Sequence, residues 1–372
     1  MMISRINFFR VTRWVFSLGL CLLPLSAPAQ KSITEQDERA VKGALSVSQE
    51  ELDEAIAASF FPEPLVVPEP GYEVVEIFEE KDHQRWRVNF TVSENETAPG
   101  YLLLPKPLPQ DGQKLPLVLV LHGTTELGKE ITLQTYNPEE SLRWGSRFNA
   151  LALVREGFVV FAPDRVAFGE RRLLETGGTR AQMNAWTKRI KEGNSDWSMN
   201  GKVAWDLKRA LDFLVTLDFV DAENIGSLGH SLGSWDTLFL AATDKRIKAA
   251  VMNHGNTLRF RPELWADEEK LREHLERMKN RGIPAINVDM NIYLMAIAPR
   301  AQLFFWSLKE GKDSVRPNIL DAARPISTYN LAVAERENAK FDYSFFLHGQ
   351  GHDFRPESRA LAYQWLKDRL MK

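Results

Sequence analysis

The sequence predicts a doubly wound α/β fold, in which a mostly parallel sheet is covered by helices on both faces. Two runs, 115–121 and 157–162, are apolar at nearly every position, which is typical of parallel strands buried on both sides. A helix-like stretch at 144–156 separates them, and this alternation of strand and helix continues along the chain. Further core strands are expected at 225–228, 247–252, 302–306 and 343–347.

The sequence before this sheet divides into a small helical part and an edge of strands. Residues 33–61 favour a helix, with Thr34 or Ser48 as possible caps. Four prolines between 62 and 70 then require an extended connector. We therefore expect residues 30–71 to form an N-terminal helical appendage with its connector, and 72–372 to form the main domain. Its first strands are expected at 72–78, 85–92 and 101–104.

Residues 1–29 have the composition of a secretory signal peptide. Three arginines precede the apolar run 14–25, and Ala27-Pro28-Ala29 offers small residues for cleavage. The apolar run is short for a bilayer span, although a membrane anchor is the alternative. We expect the chain to be exported to the periplasm or secreted. The single cysteine, Cys21, lies in this segment, so the exported part could be neither a disulfide scaffold nor a thiol hydrolase.

Charge and motif content exclude several classes of function. Loss of three arginines and no acid with the signal peptide moves the formal net charge from −3 to −6. No basic field remains to attract nucleic acid, and no stable membrane insertion is expected once the signal is removed. The sequence contains no H-E-x-x-H pattern and no phosphate-binding glycine motif after a strand, so we expect neither a metal nor a nucleotide cofactor. Nothing in the sequence indicates the oligomeric state.

The most informative motif is Gly229-His230-Ser231-Leu232-Gly233. It follows the apolar strand 225–228 and precedes helix-forming sequence at 235–242. A chain that turns this sharply crowds the positions two before and two after the serine, so both must be glycine. The strand, turn and helix present the hydroxyl of Ser231 as a nucleophile.

A serine hydroxyl needs a base to accept its proton, and the base needs an acid to orient it. Both should follow Ser231, the acid first. We choose His352 as the base, because Gly351 frees the loop just after the last core strand. His348, at the end of that strand, is the alternative and suits a structural hydrogen bond better. The closing helix is expected at 356–371.

For the acid we choose Asp313, on a polar loop that follows the strand 302–306. Glu310 lies on the same loop, and Asp289 is a more distant alternative. Flanking lysines leave a solvated charged turn as the other interpretation of this loop.

Acyl transfer also requires N–H donors for the oxyanion of the tetrahedral intermediate. The backbone N–H of Leu232 is one, because it follows the nucleophile at the start of a helix. The second is expected from the loop after the strand 115–121, at Thr124 or else at Gly123. The alternative is that His122-Gly123 is only a turn.

Two segments, 165–200 and 256–291, are longer than crossovers between parallel strands need to be. Loops at the carboxyl ends of parallel strands form the binding crevice, so we expect these insertions to cap the site. Tryptophans in or beside these segments would suit sugar rings, although bulky indoles also serve as ordinary core residues. They are Trp144, Trp186, Trp197, Trp235 and Trp265.

Several of these elements together resemble the α/β-hydrolase superfamily, and within it the dienelactone-hydrolase-like and acetyl xylan esterase-like branch. The resemblance covers about residues 70–370 and implies an α/β-hydrolase fold and a Ser-Asp-His hydrolase that acts on carboxylic esters. It places Asp313 and His352 at the acid and base positions. The elements are Leu121-His122-Gly123, Ala162-Pro163-Asp164, Phe168-Gly169-Glu170-Arg171, the helix 201–214, the Ser231 motif, Ile297-Ala298-Pro299-Arg300 and Gly351-His352-Asp353-Phe354.

One departure from this branch narrows the expectation. Dienelactone hydrolases use a cysteine nucleophile, whereas this chain has Ser231, which favours esterase chemistry over dienelactone as substrate. We expect a small-molecule or carbohydrate ester, with acetyl xylan-type esters as the leading idea. The alternatives are a serine peptidase of the same fold and a binding protein that has lost activity.

Overall fold

The computed structural model describes most of the main domain and one helix before it. The predicted signal peptide 1–29, most of the predicted insertion 256–291 and the segment that contains Asp313 lie outside the described residues. The described residues are 48–61, 65–133, 147–194, 196–254, 290–307, 330–331, 333–334, 337–340, 342–349 and 351–371.

Within the described residues, a nine-stranded sheet forms the centre of the molecule, in the order β1-β2-β3-β5-β4-β6-β7-β8-β9. The pairs from β1 to β5 along this order are antiparallel, and those from β5 to β9 are parallel. The expected mostly parallel sheet is confirmed, with antiparallel strands at one edge. The strands are β1 (Tyr72–Glu79), β2 (His83–Ser93), β3 (Glu96–Pro105), β4 (Leu115–Leu121), β5 (Val159–Pro163), β6 (Val220–His230), β7 (Ile247–Asn253), β8 (Ala301–Ser307) and β9 (Tyr343–His348).

Helices cover both faces of the sheet, as a doubly wound fold requires. One face carries α1, α4, α5 and α6, and the other carries α2 and α7. None of the helices in the described ranges is long and apolar enough to cross a bilayer. The helices are α1 (Gln49–Phe60), α2 (Asn149–Arg155), α3 (Thr179–Gly193), α4 (Met199–Leu214), α5 (Leu232–Thr243), α6 (Met290–Ile297) and α7 (Pro356–Leu370), with short 3₁₀ turns at Gly128–Thr132 and Gly169–Arg171.

The central strands are apolar at nearly every position because both of their faces are buried. Every residue of β5 and β8 is buried, and only the first residue of β4 is partly exposed. At the antiparallel edge, β1 is largely exposed, as expected for a strand that lacks a covering layer. The apolar runs therefore identified the strands that lie between the two helical layers.

The carboxyl ends of the middle strands meet at one rim of the sheet. Leu121 at the end of β4 is in register with Gly229 near the end of β6. Gly100 of β3 is in register with Pro163, the last residue of β5, so the β2–β3 turn reaches the same rim. In open α/β sheets this rim is where ligands bind.

Helix α1 packs on the body of the molecule. Ser48 and Glu51 form a capping box, which confirms Ser48 as the cap. Its buried face contacts α4 and α5, and the ring of Phe60 lies 5.0 Å from that of Phe239. The part of the predicted helix before residue 48 lies outside the described residues.

Candidate active site

Ser231 occupies a strained turn between β6 and α5. Its backbone has φ 57° and ψ −116°, a conformation that residues other than glycine rarely adopt. A Cβ atom on Gly229 would lie 1.9 Å from the carbonyl oxygen of Gly233. One on Gly233 would lie 2.0 Å from that of Leu121. Both glycines are therefore required by contacts that this turn creates.

The neighbouring strand holds the turn in place. The N–H of Ser231 donates to the carbonyl of Asn253, at the end of β7, over 2.9 Å. The Asn253 side-chain amide lies 2.6 Å from Nδ1 of His230, which is buried. Burial lowers the pKa of His230 well below its usual value, so this ring is neutral near pH 7. Ser231 is thus fixed from β6 and β7 together.

The loop after β4 approaches Ser231 directly. A Cβ added to Gly123 would lie 3.1 Å from the carbonyl oxygen of His230 and 3.4 Å from Cβ of Ser231. This is the loop on which the oxyanion donor was expected. Thr124, the next residue, is exposed at the rim.

Hydrogen bonds of His122 orient the peptide between Gly123 and Thr124. The backbone N–H of Arg165 donates to Nε2 of His122 over 3.2 Å, so the proton of this neutral ring lies on Nδ1. Nδ1 lies 2.9 Å from the carbonyl oxygen of Gly123 and donates to it. In a trans peptide the N–H points opposite to the carbonyl, so the Thr124 N–H is directed away from His122. This arrangement favours Thr124 over Gly123 as the second donor.

Leu232 is the first residue of α5, and its side chain is buried. Backbone N–H groups in the first turn of a helix have no acceptor within the helix and carry the positive end of its dipole. Such a group beside a nucleophile suits a developing oxyanion.

His352 lies on the loop between β9 and α7 and is exposed. Its ring centroid is 5.1 Å from that of His230, the residue before Ser231, and 5.0 Å from that of His254. The loop after β9 therefore lies against the turn that carries Ser231.

His348, the alternative base, is engaged within the protein. Its Nε2 lies 3.1 Å from Nε2 of His254, a fully buried residue. Nε2 of His254 is also 3.0 Å from the carbonyl oxygen of Asp353. Because a carbonyl only accepts, His254 donates from Nε2 and His348 accepts. These contacts connect His348 to the loop that carries His352.

The candidate acids Asp313, Glu310 and Asp289 lie outside the described residues. The end of the preceding strand is described, and there Ser307 of β8 is in register with His348 of β9. The loop that follows β8 therefore begins beside the loop that carries His352.

Comparisons with known proteins agree with this architecture. A model of the dienelactone hydrolase family matches residues 144–279, which include the Ser231 motif. The structure resembles that of a Bacteroides fragilis protein described as an acetyl xylan esterase, with a TM-score of 0.64 at 18% identity over 87% of each chain. The chain has the α/β-hydrolase fold.

Two further relatives extend this α/β-hydrolase comparison. A glucuronoyl esterase of Solibacter usitatus matches with a TM-score of 0.59 at 17% identity, over 86% of this chain and 91% of its own. YtaP of Bacillus subtilis (strain 168), named as a hydrolase, is 27% identical over 160 residues, which are 42% of this chain and 48% of the relative. The chain thus matches about half of that curated relative's length. The resemblance to the dienelactone-hydrolase-like branch is confirmed.

Near the candidate site, the structure contains a buried ion pair that the sequence did not reveal. Nζ of Lys129 lies 2.7 Å from Oδ2 of Asp164, and the two side chains are 1% and 0% exposed. The Asp164 carboxylate also accepts from the N–H groups of Lys129 (2.7 Å) and Glu170 (3.0 Å). The Glu170 carboxylate pairs with Lys129 as well. The pair joins the loop after β4 to the loop after β5.

Two glycines make room for this carboxylate. Cβ atoms on Gly128 and Gly169 would each lie 2.1 Å from Oδ1 of Asp164, and both residues have positive φ angles. The signal available in the sequence was a carboxylate directly after the apolar strand β5, followed by Gly169-Glu170. Its partner Lys129 lies on another loop, and no sequence pattern near Lys129 indicates that it is buried.

A second buried pair connects the same loop to the helix behind Ser231. Nε of Arg165 lies 2.9 and 3.2 Å from the two carboxylate oxygens of Asp236 on α5. Both side chains are 3% exposed. Burial raises the pKa of Asp236, and the Arg165 guanidinium opposes that rise. Because the N–H of Arg165 also contacts His122, Arg165 connects α5 with the loop after β4.

Proposed function

We propose that this protein is an exported serine esterase that cleaves carboxylic esters through an acyl-enzyme intermediate. One observation carries the proposal: Ser231 sits on a strained turn whose surroundings leave space only for glycines. Such strain persists only where the surrounding structure enforces it, and it concentrates at functional positions. The described geometry around the turn supplies candidates for each further role.

In the first half of the reaction, His352 accepts the proton of Ser231 as Oγ attacks the ester carbonyl carbon. The carbonyl oxygen becomes an oxyanion and accepts from the N–H groups of Leu232 and Thr124. Asp313 orients the imidazole and stabilises its charged form. Collapse breaks the bond to the alcohol oxygen, and His352 returns the proton to the departing alcohol.

In the second half, water replaces the alcohol. His352 takes a proton from the water, whose oxygen attacks the acyl carbon, and the oxyanion forms again at Leu232 and Thr124. Cleavage of the acyl bond to Ser231 releases the acid, and the proton returns to Oγ. Every proton is accounted for by one histidine.

The nucleophile is tested by Ser231→Ala, assayed on short-chain aryl esters. Loss of such a nucleophile costs orders of magnitude in kcat. Ser234→Ala is the matched control, because Ser234 lies three residues further along, is fully buried and has an Oγ with no hydrogen-bond partner among the described residues. Near wild-type turnover in Ser231→Ala would exclude Ser231 as nucleophile. Labelling by a fluorophosphonate probe, lost only in that variant, distinguishes an active hydrolase from an inactive binding protein.

The base is tested by comparing His352→Ala with His348→Ala. The first should lose about a thousandfold or more in kcat/KM, since the proton acceptor is gone. The second removes the acceptor of the His254 contact and should act mainly on thermal stability. The reverse order of kcat/KM would assign the base to His348.

The acid is tested in the same way with Asp313→Asn, Glu310→Gln and Asp289→Asn. The true acid should show a loss in kcat far larger than its effect on KM, because it orients the base and does not bind substrate. A large loss in Glu310→Gln alone would transfer the role to that residue.

For the substrate we propose an ester on a carbohydrate, such as an acetylated xylan oligosaccharide. The proposal is supported by the composition of residues 1–29, which suits export, and by the half-exposed indoles of Trp186, Trp197 and Trp235. Release of acetate from acetylated xylan oligosaccharides is the measurement. Good aryl-ester turnover without acetate release would restrict the protein to small esters.

A further inference from the structure

A groove of about 530 Å³ opens at the same rim as Ser231, next to the antiparallel edge of the sheet. Its walls are the β2–β3 turn, helix α3 and the beginning of helix α4. Strands β5 and β4 separate β3 from β6 in the sheet. Three strand spacings correspond to about 14 Å between the ends of β3 and β6. A short oligosaccharide bound in the groove would therefore extend toward the nucleophile.

One loop connects the groove to the candidate active site. Arg165, whose N–H contacts His122, lies six positions before Arg171, which lines the groove. The carboxylate of Asp164 fixes the start of this loop through Lys129. The loop after β5, which contributes Arg171 to the groove, is therefore held by contacts with the loop after β4, which carries Thr124.

Three charged residues that line the groove belong to a cluster of four charges, completed by the buried Asp206, that neutralise one another. Arg171 lies 2.7 Å from each of two carboxylates, Asp206 and Glu96. Lys202 lies 2.6 Å from Asp206 and 2.8 Å from Glu96. Two cations and two anions leave no net charge. These groups neutralise one another, so the cluster as a whole does not attract a charged ligand.

The wall of the groove presents a cation that is not neutralised. Arg189 on α3 is exposed, and its guanidinium lies 5.1 Å from the ring centroid of Trp186. Among the described residues it has no carboxylate partner and no hydrogen bond to a protein acceptor. Its fork of N–H groups is therefore available to a ligand, already placed on an aromatic face.

One of the three indoles of the groove is also available. The indole N–H of Trp186 donates to the carbonyl of Arg171 over 2.8 Å, and that of Trp205 to Val92 over 2.7 Å. The indole N–H of Trp197 has no acceptor within the described ranges, and this side chain is only half-buried. Within the described ranges, the groove thus combines donors without acceptors, a net positive charge and a half-buried indole.

We propose that this groove binds a uronate unit of the oligosaccharide ester. The guanidinium of Arg189 pairs with the carboxylate in a bidentate manner, and Trp197 contacts the apolar face of a sugar ring. The volume is within the range of ordinary ligand sites. The inference rests on the proposed esterase function and names the substrate class: an acidic glycan whose ester lies a few sugar units from the carboxylate.

Binding is measured by calorimetry on full-length Ser231→Ala protein, with trigalacturonate as the acidic probe and xylotriose as the neutral one. Trigalacturonate should bind at least tenfold more tightly than xylotriose, because only it offers carboxylates. Arg189→Ala should weaken trigalacturonate binding about tenfold or more, the worth of a charge-assisted hydrogen bond. Trp197→Phe, which keeps a ring but removes the N–H, should weaken both sugars.

Arg180→Ala is the matched control, since Arg180 is exposed on α3 and does not line the groove. Equal losses in Arg180→Ala and Arg189→Ala would indicate unspecific attraction of anions and overturn the proposal. Equal binding of the two probes, or binding of neither, would overturn it too.

The same variants separate this proposal from the esterase function. If Ser231→Ala retained aryl-ester activity, the proposed chemistry would fail while the binding results stood. If aryl-ester chemistry followed Ser231 and trigalacturonate did not bind, only the groove proposal would fail.

Discussion

Replacing Lys129 by methionine should destabilise the protein strongly, because Lys129 neutralises a carboxylate that has no access to water. The two side chains of the pair are 1% and 0% exposed, and Nζ lies 2.7 Å from Oδ2 of Asp164. Methionine fills a similar volume but carries no charge. Asp164 would remain buried with only the two backbone N–H donors of Lys129 and Glu170.

Removal of one partner from a buried ion pair costs about 3–5 kcal/mol. The two backbone donors remain, so we expect a loss near the lower end, about 3 kcal/mol. With about 2.1 cal/mol/K of unfolding entropy per residue, a chain of this size has roughly 0.7 kcal/mol/K. The midpoint of thermal unfolding should therefore fall by about 4 °C.

The measurement is urea unfolding at pH 7 together with thermal unfolding followed by circular dichroism. Lys188→Met is the control, because Lys188 pairs with Glu192 at 3.7 Å on an exposed helix face and should cost less than about 0.5 kcal/mol. The double variant Lys129→Met/Asp164→Asn should recover much of the loss, since no buried charge remains. A loss below about 1 kcal/mol in Lys129→Met, or none recovered in the double variant, would refute the reasoning.

Three further predictions follow from the turn and its surroundings. Burial lowers the pKa of His122 and His230 below 6.5, so the unfolded chain binds protons that the folded chain does not. The free energy of unfolding by urea should therefore decrease as the pH falls below about 6.5, and it should decrease less steeply in His230→Asn. The same dependence on pH in that variant and the wild type would show that His230 does not contribute to it. Thr124→Pro, which removes the backbone N–H, should lower kcat on aryl esters by about 100-fold or more, whereas Thr124→Ala should keep it; similar kcat values would exclude that donor. Gly233→Ala should give little soluble protein, because the added Cβ would lie 2.0 Å from the carbonyl oxygen of Leu121; a fully soluble variant with a wild-type melting midpoint would show that the turn can relax.

The features that could be predicted from the sequence are those with a local cause. The run 115–121 is buried on both faces and was recognised because each position is apolar. The turn at Ser231 can be recognised because its glycines stand at fixed spacing around the serine, and the contact that requires Gly229 is made with Gly233 inside the same motif. Strand β6 begins at Val220, earlier than the expected 225, because Val220 and Asp221 pair with β4 before an irregularity in register.

Features that depend on distant partners could not be predicted. Lys129 lies in a polar loop in the sequence, and its burial depends on Asp164, 35 positions later. Likewise, it is recognisable only from the structure that Arg189 has no carboxylate partner among the described residues, whereas Glu96 and Asp206 neutralise the other cations of the groove. Sequence spacing does not reveal which charges are already paired.

The docking of α1 has a consequence for the order of folding. Phe60 packs against Phe239 and Tyr293, which follow it by 179 and 233 positions in the chain. During synthesis, the apolar face of α1 therefore exists long before the surface that covers it. Contacts at such sequence separation slow folding and leave apolar surface open to aggregation meanwhile. A chain that is exported unfolded, as proposed for this protein, would gain from this delay, since α1 cannot complete its packing before Tyr293 has been synthesised.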